Sequence, residues 1–250
     1  MITFTKQVKF RVTMVIGIVV LLFLYRLSPY KLEFLGYYNK IWAHRANSID
    51  KLHSALQFYD GVELDLIYNE SEDFLDVNHS LSPSIGLKFE NYMNTLENEQ
   101  YPYLWLDIKN LNEKTAKAIL NKLVGIFEKR NYPLEKILIE TRYPEVLPVF
   151  SDIGFKTSYY LPGGLTKKET TELKRNIEII EDVLNDQPEV GISTSYKDYH
   201  IVNEYFPDRK KYIWVLVPII NLDLLTTNQI LKDDTVAVVL VNYVALKGNR

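Results

Sequence analysis

The sequence contains no cysteine, which excludes disulfides, thiolate metal sites and attachment of a lipid through a thiol. It also lacks a large excess of charge: the formal net charge is -3, so nothing in it supplies the basic footprint that nucleic acid binding requires. There is no internal repeat and no low-complexity tract, which excludes solenoid and fibrous architectures. Beyond residue 40 no linker divides the chain. What remains is 250 residues, 47% apolar, enough for one sizeable core and the usual length of a single (β/α)8 barrel.

The first 30 residues differ in kind. Lys6, Lys9 and Arg11 precede the apolar run Val12 to Tyr25, which Arg26, Pro29 and Lys31 close. No small-x-small cleavage site follows. This order reads as an uncleaved signal anchor, with the basic N-terminus cytoplasmic and the remainder extracytoplasmic. The run has 14 residues where about 20 span a bilayer, and Phe10 and Leu27 lengthen it. The alternative is a buried first helix of a soluble protein, which the lack of any polar face argues against. The expected organisation is an anchor over 1–30, a tether over 31–40 and one catalytic domain over 41–250.

Within that domain, strand-like and helix-like segments alternate, the signature of βα units around a parallel sheet. Strands are expected at 41–44, 62–67, 103–108, 136–140, 156–161, 190–194, 212–218 and 235–242, eight in all, giving a TIM barrel. Ser48 is placed to cap a helix carrying Leu52, Ala55, Leu56 and Tyr59 on one face. Further helices are expected from about Glu113 to Phe127, from Lys167 to Asn185, and over 144–151 and 222–231. The polar segment Asn69 to Asn98, with Pro83 and Gly86, breaks the rhythm before a weakly helical stretch. It lies where TIM barrels form their sites.

Three apolar runs end in charged or imidazole groups, which is costly in a core unless those groups bind something. In VELDL, Glu63 and Asp65 share one strand face while Val62, Leu64 and Leu66 share the other. Asp107 and Lys109 pair in the same way in LWLDIK. Three carboxylates on neighbouring strands repel one another in a low dielectric, and a hard divalent cation is the common remedy. Glu63, Asp65 and Asp107 are therefore expected as metal ligands. His44 ends the first run and His79 follows the second, so two imidazoles can flank the same place for general acid and base work. Arg45 and Lys109 can address a phosphate or simply balance the carboxylates.

Taken together, His44-Arg45, Glu63-x-Asp65, His79 and Asp107-x-Lys109 resemble the superfamily of phospholipase-C-like phosphodiesterases, which includes the glycerophosphodiester phosphodiesterases. The resemblance implies a TIM barrel and acid and base roles for His44 and His79. It also implies magnesium or calcium on Glu63, Asp65 and Asp107, with Arg45 and Lys109 near the phosphate. Ala46 stands where glycerophosphodiesterases have Gly, Ser80 follows His79 instead of Asp, and Asp107 replaces a Glu. These departures, with the run His44-Arg45-Ala46-Asn47-Ser48, look closer to the sphingomyelinase D-like phospholipases and the menorin-like proteins.

The expectation is a membrane-anchored, metal-dependent phosphodiesterase acting on a glycerophosphodiester or phospholipid-type substrate. Its alternative is a noncatalytic module of the same fold that binds a phospholipid, glycan or protein partner. A metal-dependent sugar-phosphate lyase or isomerase is a third reading. Trp214 in the seventh strand, with Glu140 and Arg142 at the end of the fourth, are candidates for the pocket wall. His200 lies on the correct side of a barrel for substrate contact. His53 is expected in solvent, and Gly163-Gly164 as a plain turn.

Overall fold

The computed structural model describes residues 2–217, 221 and 223–245. The chain runs α1 (Ile2–Leu27), β1 (Ile41–His44), α2 (Ile49–Ala55), β2 (Gly61–Asn69), β3 (Phe74–Val77), α3 (Phe89–Met93), β4 (Tyr103–Ile108) and α4 (Ala116–Glu128). It continues with β5 (Ile137–Thr141), α5 (Pro148–Ser151), β6 (Lys156–Tyr160), α6 (Thr170–Asp186), β7 (Gly191–Ser195), α7 (Tyr199–Tyr205), β8 (Lys211–Val215), α8 (Leu224–Lys232) and β9 (Val236–Asn242). All strands but β3 pair in parallel in the order β1-β9-β8-β7-β6-β5-β4-β2, and β1 pairs with β2 through Ala43 and Val62 to close the ring. This is the expected eight-stranded barrel.

Alternating side-chain direction sorts each barrel strand into an outer and an inner set. Outward, Ala43, Val62, Leu64, Leu104, Leu106, Ile137, Ile139, Ile213 and Val239 join the layer that the helices cover. Helix α4 contributes Ile119, Leu123, Ile126 and Phe127 to it, and α6 contributes Ile177, Ile180 and Leu184. Inward, Trp42, Trp105, Leu138, Tyr212, Val238 and Leu240 form a separate, mostly aromatic plug. Two glycines make room for it. A Cβ on Gly61 would lie 2.4 Å from the Trp42 ring, and one on Gly191 would lie 2.6 Å from Tyr212.

The polar segment after β2 departs from expectation. Strand β2 runs beyond the barrel and pairs antiparallel with β3, with Leu66 opposite Val77 and Asn69 opposite Phe74. Sequence patterning misses β3 because it has four residues, while the weakly helical stretch expected after Gly86 is the five-residue α3. Helix α7, also unexpected, is two turns long over YHIVNEY. The helix expected over 144–151 is a 3-10 turn at Pro144–Val146 followed by the single-turn α5. Ser48 does cap α2, accepting from the Lys51 N–H at 3.3 Å. The expected strand end at 218 and helix start at 222 lie outside the described residues.

Helix α1 has one 21-residue stretch, Gln7–Leu27, that is long and apolar enough to cross a membrane, and none of it is buried against the barrel. The tether that follows packs down the barrel wall. Phe34 is buried, Tyr59 donates to the Pro29 carbonyl at 3.0 Å, and Lys40 donates to the carbonyls of Leu231 and Asp233.

Gly61→Ala should destabilise the fold by about 1–3 kcal/mol through overpacking against Trp42. Gly125→Ala in α4, where a Cβ meets nothing within 4 Å, should be neutral or stabilising by up to about 1 kcal/mol. Chemical denaturation in detergent compares the two; equal shifts would rule out the floor contact as the cause.

Candidate active site

The expected metal-ligating, acid–base and phosphate-binding groups meet at one place. A cavity of about 470 Å³ opens at the C-terminal ends of the strands, lined by His44, Arg45, Glu63, Asp65, His79, Asp107, Lys109 and Trp214 among others. Glu63 and Asp65 rise from β2, and the parallel register sets Asp65 directly beside Asp107 of β4. One oxygen from each of the three carboxylates lies within 4.8 Å of the others. An all-oxygen donor set at this spacing fits a hard divalent cation such as Mg2+ or Ca2+.

Glu63 and Asp65 are buried and Asp107 is half-buried, so their electrostatics dominate the cavity. Burial, then the charges of Asp65 and Asp107, raises the Glu63 carboxyl well above the ordinary range. Burial raises Asp107 as well, against the pull of Lys109. Lys109 lies 2.6 Å from Asp65 and in contact with Asp107. Burial opposes its charge, yet the two carboxylates hold the ammonium above its usual pKa. A cation is already drawn to the place where these oxygens converge.

Arg45 has φ 54°, a left-handed conformation that costs a non-glycine residue on the order of 1 kcal/mol and persists only where surroundings enforce it. Here its backbone N–H donates to Glu63 at 2.6 Å, while its Nε lies 3.6 Å from Asp65. Asn47, which the sequence reading does not single out, braces Asp65 from two directions. Its Nδ2 donates to the carboxylate at 2.6 Å, and its Oδ1 accepts from the Asp65 N–H at 2.9 Å.

His44 ends β1 with Nε2 3.7 Å from Glu63. Burial, helped by Arg45, depresses its pKa to about 3, so the ring is neutral near pH 7. The hairpin delivers His79. As β3 descends antiparallel to β2, the Asn78 N–H reaches the Asp65 carbonyl at 3.1 Å, and the next side chain enters the cavity mouth. His79 Nδ1 accepts from the Leu81 N–H at 3.2 Å, while Nε2 lies 2.8 Å from the Arg45 guanidinium. A neutral imidazole has one acceptor nitrogen and cannot accept from both. An anion placed there would accept from the guanidinium and from Nε2–H and remove the conflict.

The far wall is aromatic. Trp214 packs edge-on against Tyr160 at 4.9 Å, and the Arg142 guanidinium covers the other ring at 3.8 Å. Glu140, deeper in, is hydrogen-bonded by Ser193, and burial plus the charge of Asp107 raises its pKa to about 8. His200 is exposed and does not line the cavity; it contacts Thr226 at 3.3 Å. His53 is exposed. Gly164 forms a turn with φ 74°, its N–H donating to Asp198.

A closed parallel barrel with buried carboxylates at the C-terminal strand ends defines a TIM-barrel protein with a site in the usual place. No family model and no curated protein matches the chain in sequence. Solved structures do match in fold. A glycerophosphodiester phosphodiesterase from Parabacteroides distasonis superposes with a TM-score of 0.57 at 14% identity, covering 82% of this chain and 92% of that one. A chain from Silicibacter pomeroyi assigned as a glycerophosphoryl diester phosphodiesterase gives 0.57 at 11% identity, covering 85% and 95%. One from Galdieria sulphuraria, assigned likewise, gives 0.53 at 15% identity, covering 82% and 93%. The barrel therefore has the fold of the glycerophosphodiester phosphodiesterases.

Glu140 makes a prediction about pH. Its native carboxyl keeps a proton up to about 8, whereas an ordinary glutamate releases its own near 4.5. Between those values the native state binds more protons than the unfolded state, so stability falls as pH rises. Chelator-treated protein should lose a few kcal/mol across this window, and Glu140→Gln should flatten the slope. Equal slopes in thermal melts of the two proteins would remove Glu140 from this account.

Proposed function

We propose that the chain is a membrane-anchored, divalent-metal-dependent phosphodiesterase that cleaves a glycerophosphodiester or phospholipid-type P–O bond. The observation that carries this reading is the convergence of Glu63, Asp65 and Asp107 with His44 and His79 around one cavity. The fold shared with glycerophosphodiester phosphodiesterases supports it, and so does the N-terminal apolar helix for the anchor. Phospholipid-type substrates are included because the surroundings of His44 and His79 resemble the sphingomyelinase D-like and menorin-like branches.

Glu63, Asp65 and Asp107 would hold Mg2+ or Ca2+, which supplies Lewis-acid stabilisation of the charge that builds on a phosphate oxygen. Arg45 and Lys109 add positive charge on the same side of the cavity. One imidazole takes the proton of the attacking hydroxyl, and the other protonates the departing alkoxide. The attacker is water or a neighbouring substrate hydroxyl, the latter giving a cyclic phosphate. Asn47 holds Asp65 in orientation, and Trp214 with Tyr160 offers an apolar wall to the leaving portion.

A second reading is supported by Lys109, whose single ammonium is ion-paired with both Asp65 and Asp107 and offsets one of their charges. Under it the barrel binds a phospholipid, glycan or protein partner and does not turn it over.

Phosphodiesterase assays of the full chain in detergent separate the two. Metal-stripped protein given magnesium, calcium or manganese is presented with bis(p-nitrophenyl) phosphate, glycerophosphodiesters and lysophospholipids. Metal should restore turnover, and His44→Ala and Glu63→Ala should each lower it by about 100-fold or more. Ligand binding with no turnover under any metal would favour the second reading.

A further inference from the structure

The exposed apolar side chains of the barrel are not scattered evenly. Leu81 and Ile85, in the loop after β3, are 88% and 67% exposed, and Leu225, at the start of α8, is 83% exposed with Leu224 beside it. Val244 follows the end of β9 and is also exposed. Leu224, Leu225 and Val244 follow the C-terminal ends of β8 and β9, the end where the cavity opens, and Ile85 shares a loop with Leu81, which lines the cavity itself. Round the barrel the strands concerned, β8 and β9 on one side and β2 with its hairpin partner β3 on the other, flank β1. Elsewhere on the barrel, the exposed large apolar residues among those described are Tyr143, Val149, Ile153, Ile179 and Tyr205, each less than half exposed, while Leu32 and Leu35, on the segment that follows α1, are 79% and 74% exposed. Weakly exposed residues of that kind are normal on a surface; strongly exposed ones gathered near one end of the barrel are not.

Helix α1 joins the barrel at the same end. A cavity of about 310 Å³ is lined by Arg26 and Lys31 on one side and by Val217, Asn242 and Val244 beyond β8 and β9 on the other. Asn242 is the register partner of His44. The joint is built, not slack. The Lys31 ammonium donates to the carbonyls of Tyr25 and Arg26 at the end of α1, the Tyr25 hydroxyl contacts Glu33, and Tyr30 packs edge-on against Phe58 of the barrel. Cations and tyrosines at the end of an apolar helix are the groups that settle at a membrane interface. The interface fixed by Arg26 and Lys31 is therefore level with the barrel rim.

We infer that the open end of the barrel is held against the surface of the bilayer that α1 enters, so that the cavity takes phosphodiesters still seated in the membrane. The inference rests on reading α1 as a membrane span and the cavity as a diester site. Leu224, Leu225 and Ile85 enter the interface, and Arg45, half-exposed at the same end, meets the headgroup phosphate. A bilayer is the occupant because the span reaches the patch covalently, and lipid lies within reach of it at all times.

The absence of cysteine allows clean single-site labelling of the full chain. Environment-sensitive probes at Ile85→Cys, Leu225→Cys, Ile153→Cys and Ile179→Cys would be read in phosphatidylcholine vesicles containing brominated acyl chains. Quenching at 85 and 225 with none at 153 and 179 is expected. Rim labels quenched no more than the one at 179 would overturn the inference and leave a protein partner for the patch. In a second arm, Leu224→Ser/Leu225→Ser should lower turnover of lysophosphatidylcholine in vesicles on the order of tenfold, the scale for two interfacial leucines. Turnover of soluble bis(p-nitrophenyl) phosphate should not change. Rim quenching without cleavage of any diester would uphold the orientation and sink the diesterase reading. Cleavage with dry rim labels would do the reverse, and an equal loss on both substrates would reject the membrane route.

Discussion

The structure depends on keeping three carboxylates, two of them buried and one half-buried, within a few ångströms of one another. In a low dielectric that arrangement is strongly unfavourable unless positive charge or hydrogen-bond donors surround it. The residues that do so come from three separate segments: Lys109 from just beyond β4, the Arg45 backbone and guanidinium from the turn after β1, and Asn47 from the approach to α2. The left-handed backbone of Arg45 follows from the same requirement, because it turns an N–H toward Glu63. A divalent ion would take over part of this compensation and free Lys109 for a ligand. The protein has thus assembled a centre that is tolerable without metal and well suited to it.

That centre was largely legible in the sequence, for a physical reason. The period of two along a strand puts Glu63 and Asp65 on one face without reference to anything distant, and parallel pairing then sets Asp65 beside Asp107. His44 was legible because it ends an apolar run. Asn47 was not: its role lies in a contact spanning 18 residues, and an Asn between a strand and a helix normally reads as a cap or turn. The positive φ of Arg45 has no sequence signature, since arginine gains nothing locally from it. Glu140 was visible as a strand-end carboxylate, but its partner Ser193 comes from a strand 53 residues later.

The elements that were missed are the short ones. Strand β3 has too few residues to display alternation and carries Asp76 inside it, while α7 mixes tyrosine and histidine with only two fully buried side chains. Each is stabilised by what it packs against more than by its own pattern. Their positions still matter. Without β3 the chain would leave β2 at the tip of the barrel, and His79 would not return to the level of Asp65. The long periodic helices α4 and α6, in contrast, were recognisable because their apolar stripes cover the barrel wall over several turns.

The aromatic floor has a consequence for traffic. Trp42, Trp105 and Tyr212 close the barrel beneath the carboxylates, leaving a well that opens at the C-terminal ends of the strands. Anything that enters head-first through that end, above the closed floor, must leave by the way it came. A released fragment lying nearer the floor than its other half is the last to go. The order of departure is written into the depth at which each part sits, before any rate constant is considered.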